Sequence, residues 1–234
     1  MRHILTSVFL IVFLFPALAL GGEVKLEDLM VQEGLFYKKF LDVPFTGRTT
    51  GMEQWTFRNG KKDGPYVSYH KNGQLYEKGT YKDGKLDGPW VEYYKDGHLL
   101  FKGTFKDGKR DGPWVGFHKN GQLSSEGTYN NGKKDSPWVR YNDNGQLSQK
   151  GTYKDGMKDG LWFSYYDNGQ VWRKGTFKSD KRDGPWADYH DNGQLWSKGT
   201  YEVGKENGPW FSYKKDGTVW EDWTGTYSNG VKVK

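Results

Sequence analysis

The feature that most constrains this fold is a segment that begins again every 24 residues between residues 64 and 208. Each copy opens on a small residue, and in most copies a proline and then an aromatic residue follow, as in Gly88-Pro89-Trp90. The copies begin at Gly64, Gly88, Gly112, Ser136, Gly160, Gly184 and Gly208. A fixed period of this length is typical of repeat proteins, in which each unit is one supersecondary element that packs on its neighbours.

Within one copy, segments that favour strands alternate with segments that favour turns. The segment Trp90 to Tyr94 and the segment Leu99 to Phe105 are rich in aromatic and other apolar residues, as strands are. Asp96-Gly97 between them has the composition of a type I′ hairpin turn, and Asp107-Gly108 makes the turn into the next copy. This spacing leaves no room for an ordinary helix. We therefore predict an all-β fold, an elongated antiparallel meander of tandem 24-residue β-hairpins in a single-layer twisted sheet.

The turn also predicts the strand register. A two-residue turn at Asp96-Gly97 places Trp90 opposite Gly103 and Tyr94 opposite Leu99, and it puts Leu99 on the same face as Trp90. A ring laid over a strand glycine covers the exposed backbone there, so we expect each tryptophan ring to lie over the glycine opposite it. The equivalent pairs are Trp114 with Gly127, Trp138 with Gly151, Trp162 with Gly175 and Trp186 with Gly199.

Aromatic residues form two rows across the predicted sheet, one on each face, and both rows are candidate ligand-binding or partner-binding residues. The first row is Trp90, Trp114, Trp138, Trp162, Trp186 and Trp210. The second row is Tyr93, Phe117, Tyr141, Tyr165, Tyr189 and Tyr213. The rings can pack on their neighbours across the strands. A single-layer sheet cannot bury both faces by itself, so we expect one face to stay open as an interaction surface.

The two ends of the chain depart from the repeat. Residues 1–19 combine a basic start, an apolar run and an Ala-x-Ala site, which is the pattern of a cleaved signal peptide, so we expect export to the periplasm or secretion. We expect residues 20–60 to form an N-terminal capping segment, with a short helical turn within Leu26 to Gln32 and a degenerate hairpin of residues 35–47. Residues 61–217 hold the tandem repeats, and residues 218–234 the C-terminal capping hairpin end.

Composition and spacing argue against the common kinds of chemistry. The chain has no cysteine, which removes disulfides, zinc thiolate sites and thiol nucleophiles. Its net charge of +6 is spread over interleaved acidic and basic residues, unlike the basic stripe of a nucleic-acid-binding protein. His70, His118 and His190 share one repeat position, and copies two hairpins apart lie about 20 Å from each other, too far to share a metal ion.

Aspartates recur before each new hairpin, and identical copies in a row favour a structural role. We expect their carboxylates to bond turn amides rather than to act in acid–base catalysis. They are Asp63, Asp87, Asp111, Asp135, Asp159 and Asp183. We therefore predict that the protein is not an enzyme and has no cofactor, metal site or nucleic-acid partner.

A ten-residue pattern in the repeat resembles a known family. Residues Gly79 to Gly88 follow the order Gly-x-aromatic-x-x-Gly-x-x-x-Gly, which recurs from Gly103 to Gly112 and from Gly151 to Gly160. This pattern is similar to the MORN repeat, and the Pro-Trp pair that follows Gly88 is typical of the bacterial variant branch. The resemblance covers roughly residues 35 to 230. It implies a β-hairpin array, a link to protein scaffolding or membrane lipids, and, for the bacterial branch, an antitoxin label.

These observations together predict an exported, non-enzymatic repeat protein that binds or scaffolds protein partners through an aromatic sheet face. Two alternatives stay open: a binder of cell-wall glycans that uses the same rings, and an immunity or antitoxin partner of a toxin. A membrane surface and a second copy of the chain stay open as further partners.

Overall fold

The computed structural model describes residues 22–234, so the predicted signal peptide of residues 1–19 lies outside the described residues. The described chain is built from strands, with two short 3-10 segments at Leu26–Asp28 and Glu221–Trp223. Between residues 22 and 234 no helix has the length and apolar character that a membrane crossing requires. The prediction of an all-β fold is confirmed.

Strand boundaries follow the repeat closely. The strands before the repeats are β1 (Glu23–Lys25), β2 (Leu29–Gln32), β3 (Leu35–Lys38), β4 (Gly47–Thr50) and β5 (Glu53–Arg58). The first repeat strands are β6 (Lys61–Tyr69), β7 (Leu75–Lys82), β8 (Lys85–Tyr93), β9 (Leu99–Lys106), β10 (Lys109–Arg110), β11 (Gly112–Phe117) and β12 (Leu123–Asn130). They continue as β13 (Lys133–Tyr141), β14 (Leu147–Lys154), β15 (Met157–Tyr165), β16 (Val171–Lys178), β17 (Lys181–Tyr189), β18 (Leu195–Glu202), β19 (Lys205–Glu206) and β20 (Gly208–Ser212). The chain ends with β21 (Gly225–Ser228) and β22 (Val231–Lys232).

Twenty of these strands form one elongated sheet. From β4 onward, neighbouring strands of the meander pair antiparallel, as in β13 with β14 and β14 with β15. Two strands are interrupted: β10 and β11 both pair with β9, and β19 and β20 both pair with β18. The exception to antiparallel pairing is β1, which pairs parallel with β4. The strands β2 and β3 form a separate two-stranded hairpin. The predicted meander of consecutive hairpins is therefore confirmed.

The first turn of the hairpin differs from the predicted type I′ turn. In the hairpin of β8 and β9, Asp96 keeps a negative φ, whereas a type I′ turn needs a positive φ at both central residues. Instead, the Tyr94 N–H donates to the His98 carbonyl at 2.8 Å and the Gly97 N–H donates to the Tyr94 carbonyl at 3.0 Å. The loop therefore has three residues, with Gly97 at a φ of 87°.

A β-bulge beside this loop changes which face one leucine occupies. The register shifts between Glu92 and Tyr93, so that Tyr93 rather than Tyr94 pairs with Leu99. Both predictions for Leu99 were therefore wrong: it does not face Tyr94, and it lies on the face of Tyr93 rather than on the tryptophan side. The extra loop residue and the bulge cancel, and the register beyond them is the predicted one.

The type I′ geometry occurs instead at the second turn, between hairpins. Asp107 and Gly108 have φ values of 50° and 81°, and the Gly108 N–H donates to the Leu86 carbonyl of the preceding copy at 2.7 Å. The Asp87 carboxylate accepts the Asp107 N–H at 3.2 Å. Equivalent bonds form at Asp111 and Asp183. The structural role predicted for the recurring aspartates is confirmed at these three positions.

The N-terminal end covers the first part of the sheet with apolar rings. β2 takes up most of the segment that was expected to form a helical turn, and only Leu26–Asp28 turns as a 3-10 segment. β3 pairs with β2, so the expected hairpin of residues 35–47 is reduced to an antiparallel bridge between Tyr37 and Pro44. Phe36 of β3 packs on Phe57 with ring centroids 4.7 Å apart. Phe57 is fully buried, which makes this end the most enclosed part of the core.

Candidate binding surface

A row of tryptophans crosses the strands of the sheet, one from each regular hairpin. The predicted register is confirmed, since Trp90 pairs with Gly103 and Trp114 pairs with Gly127. Each ring, however, lies over the glycine of the preceding hairpin. A Cβ atom added at Gly103 would lie 2.3 Å from the Trp114 ring, and one added at Gly127 would lie 2.2 Å from the Trp138 ring. Only glycine leaves room for the ring at these positions.

On the same face, a further row of aromatic rings, which was not among the predicted rows, fills the spaces between the tryptophans. Each of its rings meets the neighbouring tryptophans edge-to-face, two of them for every ring but the last, Tyr227, which meets Trp210 alone; centroids are 4.9 to 6.5 Å apart and interplanar angles are 72° to 90°. The members are Phe105, Tyr129, Tyr153, Phe177, Tyr201 and Tyr227. Such pairs are stabilising beyond the area that they bury. The two rows together make one continuous aromatic layer, which we call the tryptophan face.

The polar edge of the indole rings is bonded to the backbone. The Trp138 N–H donates to the Thr128 carbonyl at 3.0 Å, and the Trp162 N–H donates to the Thr152 carbonyl at 3.0 Å. Among residues 22–234, Trp186 has a buried indole N–H without a hydrogen-bond partner. These bonds fix the ring orientation in most copies.

Cationic side chains cover the outer side of this layer. The Arg110 guanidinium lies 4.3 Å from the Trp114 ring centroid, and the Lys134 ammonium lies 4.3 Å from that of Trp138. Lys158 and Arg182 repeat the contact on the following tryptophans. Burial, and then the nearby arginine charges, lower the pKa of Lys134 from its ordinary value. Cation–π attraction therefore holds these charges against the rings at a cost in solvation.

The predicted tryptophan row is thus a packed layer of the protein. The rings are only 3 to 7% exposed, with glycine below them and, over the four from Trp114 to Trp186, a cation above. They are Trp90, Trp114, Trp138, Trp162, Trp186 and Trp210. No ring face is left for a partner, so we restrict the candidate binding surface to the other face of the sheet.

That other face, which we call the tyrosine face, carries the second predicted row, and its rings stay half-buried. These are Tyr93, Phe117, Tyr141, Tyr165, Tyr189 and Tyr213. Beside them runs a row of smaller or aromatic apolar residues two positions earlier in each strand, namely Val67, Val91, Val115, Val139, Phe163, Ala187 and Phe211. Leucines placed here by the bulges complete an apolar strip, as Leu195 does beside Tyr189.

The strip deepens into a groove near its C-terminal end. The groove has a volume of about 750 Å³ and is lined by Phe163, Ala187, Tyr189, Leu195 and Phe211. Ala187 is the smallest residue of its row, and the rings of Phe163 and Phe211 stand on the neighbouring hairpins to either side. The loss of bulk at Ala187 therefore creates the depression. Its volume is within the range of about 300–1,000 Å³ that is typical of ligand sites.

Lysines rim this groove without carboxylate partners. Lys174 lies 5.4 Å from the Tyr189 ring centroid, and Lys198 lies 5.7 Å from that of Phe211. Both line the groove, and neither forms an ion pair within the described part of the chain. The surface is thus apolar at its centre and positive at its edge.

The predicted histidine row ties hairpins together. The imidazole Nε2 atoms of His70, His118 and His190 lie 2.9 to 3.0 Å from carbonyl oxygens of the next hairpin. The described residues contain no group of three or more His, Asp or Glu side chains that could hold a metal ion. The structural reading of these histidines accounts for their recurrence.

Comparison with protein families agrees with this architecture. The MORN repeat variant family matches six consecutive segments, residues 62–83, 86–107, 110–131, 134–155, 158–179 and 182–202, which together make up more than half of the chain. The protein belongs to the MORN repeat variant family. No curated protein matches the chain. MORN repeats are non-enzymatic modules that bind proteins or membrane surfaces, so the family favours a binding surface over an active site.

Sequence reasoning found the tyrosine row but missed the groove. Its signal was present in the printed sequence, because Ala187 is the one alanine in a row of valines and phenylalanines. The groove could not be recognised from the sequence, because the bulge that places Leu195 beside Tyr189 was not predicted. A single small residue in a repeated apolar row is therefore the feature to look for in related arrays.

Proposed function

We propose that this MORN repeat variant protein is an exported, non-enzymatic scaffold that binds a protein partner through its tyrosine face. The apolar groove at Ala187 carries the proposal, because it lies on the face that the chain itself leaves uncovered. An exposed apolar depression with aromatic walls is the usual centre of a protein-binding site. Export rests on the signal pattern of residues 1–19.

The chemistry of the groove indicates what kind of segment it binds. Phe163 and Phe211 offer ring faces to one or two apolar anchor side chains. Lys174 and Lys198 at the rim favour acidic residues that flank the anchor in the partner. Complementary charge at the rim chiefly speeds association and selects the partner, while the buried anchor supplies most of the affinity. We therefore propose an acidic segment with an apolar anchor as the ligand.

The two alternative functions use neighbouring features. Trp172 and Trp196, which are 37% and 39% exposed, offer rings on which sugars could stack, and they favour the cell-wall glycan as a second candidate. An immunity or antitoxin function would use the groove itself, with a toxin as the protein partner.

Panning a random peptide library on the purified protein tests the proposal. Peptides enriched on the wild type should carry an aromatic or aliphatic anchor flanked by Asp or Glu. Ala187→Phe should weaken their binding at least about tenfold, because the new ring occupies the groove. The fold should tolerate this change, since Phe163 and Phe211 occupy the same repeat position. Ala187→Val, which copies Val139, is the matched control and should give an intermediate loss.

Two results would count against the proposal. One is a library that enriches no peptide, and the other is a set of peptides that bind Ala187→Phe and the wild type equally. A parallel titration with peptidoglycan fragments tests the glycan alternative. Binding of fragments that Trp196→Ala removes, together with a failed peptide library, would favour the glycan.

A further inference from the structure

A second irregularity of the repeat lies on the tryptophan face, between β11 and β13. Gly116 stands at a position that carries a side chain in every other copy, and its partner across the strands is Ser125. The equivalents of Gly116 are Ser68, Glu92, Arg140, Ser164, Asp188 and Ser212. The small residues leave a pocket of about 210 Å³. This is smaller than the roughly 300 Å³ of the smallest drug-sized sites, and it suits a single small chemical group.

Three cations line this pocket and two of them are fixed by aromatic rings. Arg110 lies over Trp114, and its guanidinium donates a hydrogen bond to the Tyr129 hydroxyl at 3.2 Å. Lys134 lies over the Trp138 ring on the next hairpin, and Arg140 extends from the same strand as Lys134. Arg140 is the one arginine at its repeat position, where the following copy has Ser164. The pocket is thus a singular feature of the array.

Two hydroxyl groups complete the lining. A Cβ atom at Gly116 would lie 3.0 Å from the Oγ atoms of both Ser124 and Ser125, so both hydroxyls lie beside the bare glycine. Within residues 22–234 neither hydroxyl has a hydrogen-bond partner. Both remain able to donate to a group that enters the pocket.

The positive charges of the pocket are not balanced by ion pairs. Neither Arg110 nor Lys134 nor Arg140 has a carboxylate within 4.0 Å in the part of the chain that the structure describes. Glu92 of the preceding hairpin acts on Arg110 only at longer range. Burial lowers the pKa of Lys134 most, and repulsion from Arg140 and then Arg110 lowers it further. An anion among the three cations would relieve that repulsion.

We propose that this pocket binds a phosphate group, held by Arg110, Lys134 and Arg140 and by the hydroxyls of Ser124 and Ser125. Charge-assisted hydrogen bonds from guanidinium and ammonium groups to phosphate oxygens are strong, and the arginine fork matches two oxygens at once. The aromatic floor excludes water from one side and strengthens these contacts. The site lies on the face opposite the peptide groove, so it is independent of the proposed protein partner.

Isothermal titration calorimetry with inorganic phosphate at low ionic strength tests the site directly. The wild type should bind one phosphate, and Arg140→Ser, which copies the next hairpin, should weaken binding about tenfold. Gly116→Glu, which copies Glu92, should abolish binding by placing a carboxylate in the pocket. Lys154→Ser removes one exposed positive charge elsewhere on the sheet and should leave binding unchanged. Circular dichroism of each variant confirms the fold.

A second arm compares phosphatidylcholine vesicles with and without phosphatidate, to decide whether the group is free or carried by a lipid. Binding of phosphate that depends on Arg140 supports the site, and added binding of phosphatidate vesicles with the same dependence identifies a lipid source. Absence of phosphate binding overturns the proposal, whether or not vesicles bind. Equal weakening by Lys154→Ser and Arg140→Ser also overturns it, since binding would then reflect net charge alone. None of these outcomes alters the peptide experiment.

Discussion

The two faces of the sheet differ in how far the chain's own side chains cover them, since a single-layer sheet has no second layer to pack against. On the tryptophan face, a glycine on each return strand lets a large ring lie flat over the backbone, and alternating rings close the layer without a second sheet. On the tyrosine face, every strand position carries a side chain, so the rings stand side by side and stay half-buried. The array therefore covers one face by itself and leaves the other uncovered.

The largest expected effect comes from removing one ring on each face. Trp138→Ala should lower the free energy of unfolding by about 3–5 kcal/mol, because it empties a buried site between Tyr129 and Tyr153. Tyr141→Ala on the other face of the same strand should cost about 1 kcal/mol, since its ring is half-exposed. Urea unfolding followed by far-ultraviolet circular dichroism measures both. Equal losses would show that the two faces are equally packed.

A smaller difference in stability between the faces is expected when the glycine under a tryptophan ring is replaced. Gly151→Ala should destabilise the protein by about 1–3 kcal/mol, because the new Cβ atom would have to displace the Trp162 ring, which lies 2.1 Å from its position. Elsewhere in a strand the same change would stabilise the fold by lowering the entropy of the unfolded chain. Thr152→Ala, at the exposed neighbour on the other face, should stay within about 0.5 kcal/mol of the wild type. A stabilised Gly151→Ala protein would contradict the proposed ring packing.

The smallest effect concerns a carboxylate on the tryptophan face. Burial, and then the charge of Glu77 on the paired strand, raise the pKa of Glu92 above its ordinary value. The folded protein therefore holds this proton more tightly than the unfolded chain does. The stability that protonated Glu92 contributes is present below its pKa in the unfolded chain. It is lost as the pH rises through the pKa of Glu92 in the folded protein.

Glu92→Gln should remove the loss of folding stability that accompanies ionisation of Glu92. Relative to the wild type, the variant should gain about 0.5 kcal/mol of stability between pH 4 and pH 7, the scale of a like-charge pair across two strands. Unfolding curves at the two pH values measure the difference, with Glu202→Gln at an exposed strand end as the control. A variant that becomes relatively less stable at pH 7 would reverse the sign and contradict the account.

Much of this architecture could be predicted from the sequence because the repeat is regular. The period, the strand positions and the pairing of Trp90 with Gly103 follow from the spacing of turns and rings. The turn type did not follow, because Asp-Gly also suits a three-residue loop whose glycine alone needs a positive φ. That loop requires the bulge, and the bulge decides the face of Leu99.

The candidate sites were harder to predict than the fold for a physical reason. Periodic residues build the scaffold, whereas each candidate site depends on one residue that breaks the period. Ala187 opens the apolar groove, and Gly116 opens the cationic pocket. The direction in which each tryptophan leans along the sheet, toward the preceding hairpin, also had to be seen in the structure. Register alone does not give that direction, because each ring has a glycine on both sides.

Hydroxyl-radical footprinting with mass spectrometry tests the central contrast most directly, because it reports the exposure of each ring in solution. We predict that Trp138 and Trp162 are protected, while Trp172, Trp196 and Trp223, which are 37%, 39% and 60% exposed, react readily as internal standards. Tyrosine-face rings such as Tyr165 should react at intermediate rates. Oxidation of Trp138 and Trp162 as fast as Trp196 would mean that the tryptophan face is open, and the assignment of a packed face and a binding face would be wrong.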